Sequence, residues 1–441
     1  EGTGKMDNGM FDSFTYKQSR CAYTVQCAFE YLVSLLLTDA YLAKLLRNLD
    51  FSAPLTGLVT SFINLAFVFQ LFSLFVAKRK TNPKRLILTV DTISQLFFCF
   101  IYFVPFLPMS SGVRRFAVVG SILVAYFLKY LVSSLLFHWS NTFVNPDKRA
   151  SFGAVKEIIS LASGILFQFL VSAVVDKYEG LGNVRGAFLF IGISMLALNA
   201  GNFISILLIG RKSGPADGND MPKKEKQPEK TWKEIFRYTF GNADFRRVLL
   251  VLVLMSGRFF VAGFMGTFKT EDLGFSMVTI TVISMVGNLS RIAVSVPFGK
   301  YSDKKGYCNG FSLGLILLAV GCFANAFTAP STRLLVIVYV LMENIALAGI
   351  NQNTFNMVYS YVPSAYIAEA MAISSCVRGV MGFLFAALGS GLLSAIQGAE
   401  NTFFGIPVYG QQVLSLIAGL CVLIGSIYIQ TVLSKRHAMK Q

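Results

Sequence analysis

Twelve apolar runs, each close to the length of a membrane-crossing helix, leave this chain few ways to fold. A helix needs about 20 apolar residues to span the hydrocarbon of a bilayer. The runs fall at approximately 22–46, 53–76, 86–107, 113–137, 152–175, 184–209, 247–268, 276–298, 308–328, 333–360, 366–395 and 409–433. Of the 441 residues, 54% are apolar and 14% charged. A soluble protein carries about 25% charged residues, so lipid must be the solvent for much of this surface. The reading is an all-α integral membrane protein with twelve transmembrane helices.

The net charge of +16 would suit a nucleic-acid binder. The basic residues, however, sit in short clusters between apolar runs, as cytoplasmic loops do. We therefore expect no nucleic acid and a lipid bilayer as the surroundings. With the N-terminus in the cytoplasm, most Lys and Arg fall inside, among them Lys78, Arg79, Lys80, Lys84 and Arg85. Both termini are then cytoplasmic, in the plasma or inner membrane. The seven cysteines form no CxxC pair and read as small buried hydrophobes. The chain opens on Glu1, Gly2 and Thr3 without a methionine, which reads as a processed end with Met6 or Met10 as native start. No cleavable signal peptide is visible.

The polar stretch 210–246, rich in Lys, Glu and Pro, separates the sixth run from the seventh. Its end, Thr231–Tyr238, has the pattern of a short amphipathic helix on the membrane surface. The expected division is an N-terminal cytoplasmic segment 1–21, a six-helix bundle 22–209, a cytoplasmic linker 210–246, a six-helix bundle 247–433 and a cytoplasmic tail 434–441.

After the eighth run stand Gly299, Asp303, Lys304 and Gly306. Their spacing matches Gly-x-x-x-Asp-Arg/Lys-x-Gly, and with twelve runs and a charged central linker the chain resembles the major facilitator superfamily. The first-half copy of this loop is absent: 77–83 keeps only the charge. The resemblance implies two six-helix bundles and a central cavity lined by spans 1, 4, 7 and 10. It also implies that these four residues form a conformational gate, with a glycine allowing close helix approach and a carboxylate capping a neighbouring helix N-terminus.

An ionisable residue inside a span faces a cavity or a partner, because a charge in hydrocarbon is costly. Spans 1, 4, 7 and 10 each hold one: Glu30, Lys129, Arg258 and Glu343. Gln26 shares a helical face with Glu30, and Tyr126 one with Lys129. Span 10 is the most polar, and its face through Glu343, Asn351 and Thr354 is the leading substrate surface. Arg378 in span 11 is a partner for Glu343 or for an anionic substrate. Asp91 in span 3 reads as structural.

These residues point to a secondary active transporter of a small polar organic solute, a sugar or an anionic or zwitterionic metabolite. A buried carboxylate exchanges protons near neutral pH, so Glu30 and Glu343 suggest proton coupling, with Na+ as the other ion open. No other cofactor and no metal site are expected, and the chain reads as a monomer. The sequence has no HExxH, GxSxG or GxxxxGK[ST], which argues against an enzyme or an ATP-driven pump. An uncoupled facilitator, an exchanger, a lipid flippase and a membrane receptor remain as alternatives.

Overall fold

The computed structural model describes residues 14–77, 83–140, 143–144, 149–210, 234, 237, 240–362, 366–403 and 405–434. The basic cluster Lys78–Lys80, nearly all of the linker with its amphipathic segment, and the tail beyond Ser434 lie outside the described residues.

Among the described residues the chain is almost wholly helical. Ten helices are long and apolar enough to cross a bilayer alone, and span 1 makes an eleventh as a bent pair, Phe14–Leu36 and Asp39–Asn48 at 46°. Span 2 is likewise interrupted, into Ala53–Thr60 and Phe62–Ala77. Unbroken or nearly so are span 3 (Pro83–Phe103), span 4 (Ser111–Ser140), span 5 (Arg149–Gly180) and span 6 (Val184–Leu208). Beyond the linker, span 8 is Met277–Lys305, span 9 Tyr307–Ala326, span 10 Leu335–Tyr361, span 11 Ile367–Gly398 and span 12 Gly410–Tyr428, continued by a π turn Ile429–Leu433. The helices overrun the expected runs at several ends, because apolar windows mark the lipid-covered part of a helix and not its hydrogen-bonded limits.

Span 7 is the most broken. Ala243–Ser256 gives way to short turns, Phe259–Ala262 and Met265–Thr267, and closes in a π turn, Phe268–Asp272. Gly257 and Gly263 stand at the two breaks, where glycine loosens a helix. Its start is firmly set: the Asn242 side chain accepts from the amides of Asp244 and Phe245 at 3.0 and 3.2 Å. Asn242→Ala removes this cap and is expected to cost about 1 kcal/mol, read as a lower unfolding temperature in detergent.

The helices form two compact units, Glu1–Tyr41 with Phe69–Glu229, and Leu42–Val68 with Lys230–Gln441. In the first, span 1 packs on spans 5 and 6, and span 3 on spans 4 and 6. In the second, span 7 packs on spans 11 and 12, and span 9 on spans 10 and 12. The same pairing order, shifted by six helices, thus recurs without a repeat visible in the residues.

Within the second unit, Ala53–Thr60 lies against spans 7 and 11. Thr60 donates its hydroxyl to the Gly263 carbonyl at 2.8 Å, and Ser390 donates to the Pro54 carbonyl at 2.9 Å. Arg47 Nε meets Glu271 Oε1 at 2.6 Å at the half-exposed edge of this seam. Glycines make it tight: a methyl on Gly263 would stand 2.6 Å from the Gly57 carbonyl oxygen, and one on Gly379 2.5 Å from that of Asn64.

Candidate functional site

The four charges singled out in spans 1, 4, 7 and 10 are joined in two pairs. In the first unit Lys129 Nζ lies 3.8 Å from Glu30 Oε1, with the side chains 20% and 24% exposed. In the second, Arg258 NH1 lies 3.6 Å from Glu343 Oε1, both 21% exposed. Each unit therefore carries one acid and one base on its first and fourth spans, in opposite order. Both separations exceed the roughly 2.7–2.9 Å of a charge-assisted hydrogen bond, whereas the peripheral Arg47–Glu271 pair reaches it. The interior pairs attract without locking.

Several polar residues of the first unit are buried. Gln26, one turn before Glu30, is fully buried; its side-chain carbonyl accepts from the Cys27 thiol at 3.5 Å, and its Nε2 has no partner among the described residues. Asp91 of span 3 is buried and accepts a hydrogen bond from Asn202 Nδ2 of span 6 at 2.6 Å. Tyr126 is a core residue, its ring edge-on to Phe98 with centroids 4.9 Å apart. Lys156, from span 5, sits 5.1 Å from the centre of the Tyr23 ring, in the first helix of span 1.

In the second unit the break after Ser256 places Arg258 at the N-cap of Phe259–Ala262, where its guanidinium lies 4.6 Å from the Phe259 ring centre. Arg378 lies 5.9 Å from the ring centre of Phe67. The amides of span 10 divide by role. Asn353 donates to Ser302 Oγ at 2.9 Å and to the Gly349 carbonyl, and Gln352 donates to the Ser295 carbonyl at 3.1 Å, so both tie span 10 to span 8. Thr354 is buried and bonded to the Ile350 carbonyl, while Asn351 is exposed. Of the leading face, Glu343 is brought to a charge partner, whereas Thr354 spends its hydroxyl on its own helix.

The expected gate loop takes another form. Gly299, Asp303 and Lys304 belong to the last turns of span 8, and only Gly306, with φ of 91°, lies beyond its end. Gly299 is not at a tight contact: a methyl there would meet only Gln352 Oε1, at 3.5 Å. The close approach is made by Gly310, packed on Ser302 and Asn353, and by Gly349, packed on Phe298. Asp303 is exposed and has no hydrogen-bond or ion-pair partner among the described residues. Sequence reasoning missed Asn202, the Arg47–Glu271 pair and the seam glycines. The four-residue spacing of Asp91 and Gln95 was the one signal available for a second polar face.

Among curated proteins, none matches this chain in sequence. Solved structures do resemble it. A mutant of the nucleoside transporter NupG superposes with a TM-score of 0.69 at 15% identity, covering 94% of this chain and 99% of that one. A bacterial homologue of the human lysosomal transporter Spinster, inward-facing and unoccupied, gives 0.69 at 14% identity over 98% and 99%. The D-xylose–proton symporter gives 0.66 at 12% identity over 94% and 97%. At such identities the likeness speaks to the fold. Residues 21–386 match the family described as Major Facilitator Superfamily, and with that match covering most of its length, the chain belongs to the major facilitator superfamily.

Proposed function

We propose that this chain is a proton-coupled secondary active transporter of a small polar organic solute, a sugar or an anionic or zwitterionic metabolite, working by alternating access in the plasma or inner membrane. Both termini are cytoplasmic in this reading, which follows from the distribution of Lys and Arg. The observation that carries it is the loose acid–base pair within each unit. A structural bridge would sit at hydrogen-bond distance, while a pair held at 3.6–3.8 Å can part when a proton or a substrate group competes for one member. Solved neighbours that include a nucleoside transporter and a D-xylose–proton symporter fit the same solute class. Asp303, without a partner among the described residues, fits a gate contact that forms in one conformation and opens in another.

A thermal-shift screen against sugars, organic acids, amino acids and nucleosides identifies the solute, since a ligand of the folded state raises its stability. Uptake of that solute into liposomes under an imposed proton gradient then tests coupling. Glu343→Gln and Glu30→Gln are each expected to weaken the dependence of uptake on pH, with the solute still bound. Unchanged pH dependence in both variants would sink proton coupling, and full uptake without a gradient would make the chain an uncoupled facilitator.

A further inference from the structure

The described interior of the first unit holds one more acid than the sequence reading used. Asp91 is 1% exposed. Its single hydrogen bond comes from a neutral group, Asn202 Nδ2, and no cation lies within ion-pair distance among the described residues. The charges that act on it are Glu30 and Lys129. Two carboxylates therefore share one ammonium, and Lys129 already lies beside Glu30. A buried carboxylate without a countercharge is strongly disfavoured and is relieved by taking up a proton.

The hydrogen-bonding group at Asp91, Asn202 of span 6, is neutral, and Gln95 lies one turn along its own helix. Lys156 acts instead near Tyr23 and Cys27. Gln95 is wholly buried, and neither its Nε2 nor its Oε1 has a partner among the described residues. Gln26, one turn from Glu30, likewise has a free Nε2. An amide offers both donor and acceptor. The Gln95 amide is thus equipped to accept from a carboxylic acid and to donate to a carboxylate, and Gln26 Nε2 to donate to a carboxylate.

We propose that Asp91 is the proton-binding residue of the first unit, and that Lys129 moves between Glu30 and Asp91 as this proton binds and leaves. With Asp91 neutral, Lys129 stays with Glu30, the arrangement described here. When Asp91 gives up its proton to solvent, the ammonium is drawn to the new carboxylate and Glu30 is released from its partner. Glu30 then becomes available to a substrate group or to the same proton. The inference rests on the proposed proton coupling but is tested apart from it.

The test is infrared difference spectroscopy of the purified full chain in lipid, titrated from acid to alkaline pH with sodium replaced by a large organic cation. The wild type is expected to show a protonated-carboxylic-acid carbonyl band that disappears as pH rises. Asp91→Asn should lose that band, and Asp91→Glu should keep a titrating band at a shifted pH, which a purely structural role would not produce. A band that persists at alkaline pH, that survives in Asp91→Asn, or that needs sodium to change would overturn the proposal. Uptake in liposomes separates the two readings. A titrating Asp91 with pH-independent wild-type uptake refutes coupling and leaves the proton site standing. Proton-driven uptake with a band indifferent to Asp91→Asn refutes this site alone.

Discussion

Arg258→Ala is expected to cut solute uptake by at least about tenfold while leaving a folded protein. The substitution strands Glu343, 21% exposed, without the cation beside it. Breaking a wholly buried pair costs about 3–5 kcal/mol, and partial exposure lowers this to about 2 kcal/mol, affordable for a chain of this size. About 1.4 kcal/mol is already a factor of ten in an equilibrium, so an equal loss in the transport-competent state produces the stated effect. Arg258→Lys keeps the charge and should retain part of the uptake. Lys129→Ala is expected to act the same way through Glu30, and the two losses should add because the pairs have no member in common. Liposome uptake with an unfolding temperature for each variant decides the matter: full uptake in Arg258→Ala would show that the pair is only structural.

The second large effect is expected at Gly379. Its missing side chain lets span 11 lie against span 2, where an added methyl would stand 2.5 Å from the Asn64 carbonyl oxygen and 2.8 Å from Phe67 Cβ. The first of these is a backbone atom, so no side-chain rotation makes room. Gly263 and Gly389 are held the same way, by the carbonyls of Gly57 and Phe260 at 2.6 and 2.7 Å. Gly379→Leu should force the start of Phe62–Ala77 away from span 11, carry the adjoining Ala53–Thr60 with it and break the Ser390–Pro54 hydrogen bond. Overpacking costs about 1–3 kcal/mol or more, against which the half-exposed Arg47–Glu271 bridge contributes at most about 1 kcal/mol. Spin labels at Leu55 and Leu388, both exposed, should move apart in the variant. An unchanged distance together with an unchanged unfolding temperature would show that the seam tolerates the added bulk.

The spans were legible because each must match the thickness of the hydrocarbon whatever it packs against. Their ends were not. Ser111–Ser140 and Arg149–Gly180 continue as helix through polar residues that a hydropathy window discards. The charged residues were legible for the same reason as the spans, since Glu30, Lys129, Arg258 and Glu343 have no business in lipid. Their pairing was not, because Glu343 had two arginines to choose from and only the fold shows Arg258 at 3.6 Å. The amides of span 10 misled in part: Asn353 and Gln352 are polar in order to hold span 8. At Gly299 the expected close approach is absent, and the tight contacts of this region are at Gly310 and Gly349, which no motif marks. Asp91 looked like a lone structural acid because its charged neighbours come from spans 1 and 4.

The matching of one acid to one base in each unit has an electrical consequence. Glu30 and Lys129 sum to zero, as do Arg258 and Glu343, so the embedded pair in each half carries no net charge. A unit charge crossing the membrane potential exchanges about 2.3 kcal/mol per 100 mV. A pair that stays together exchanges almost none of it, so within the protein only a pair that parts adds to the charge that moves. The current measured per solute then reports the charge of the cargo and its coupling ion, plus any transfer of Lys129 from Glu30 to Asp91.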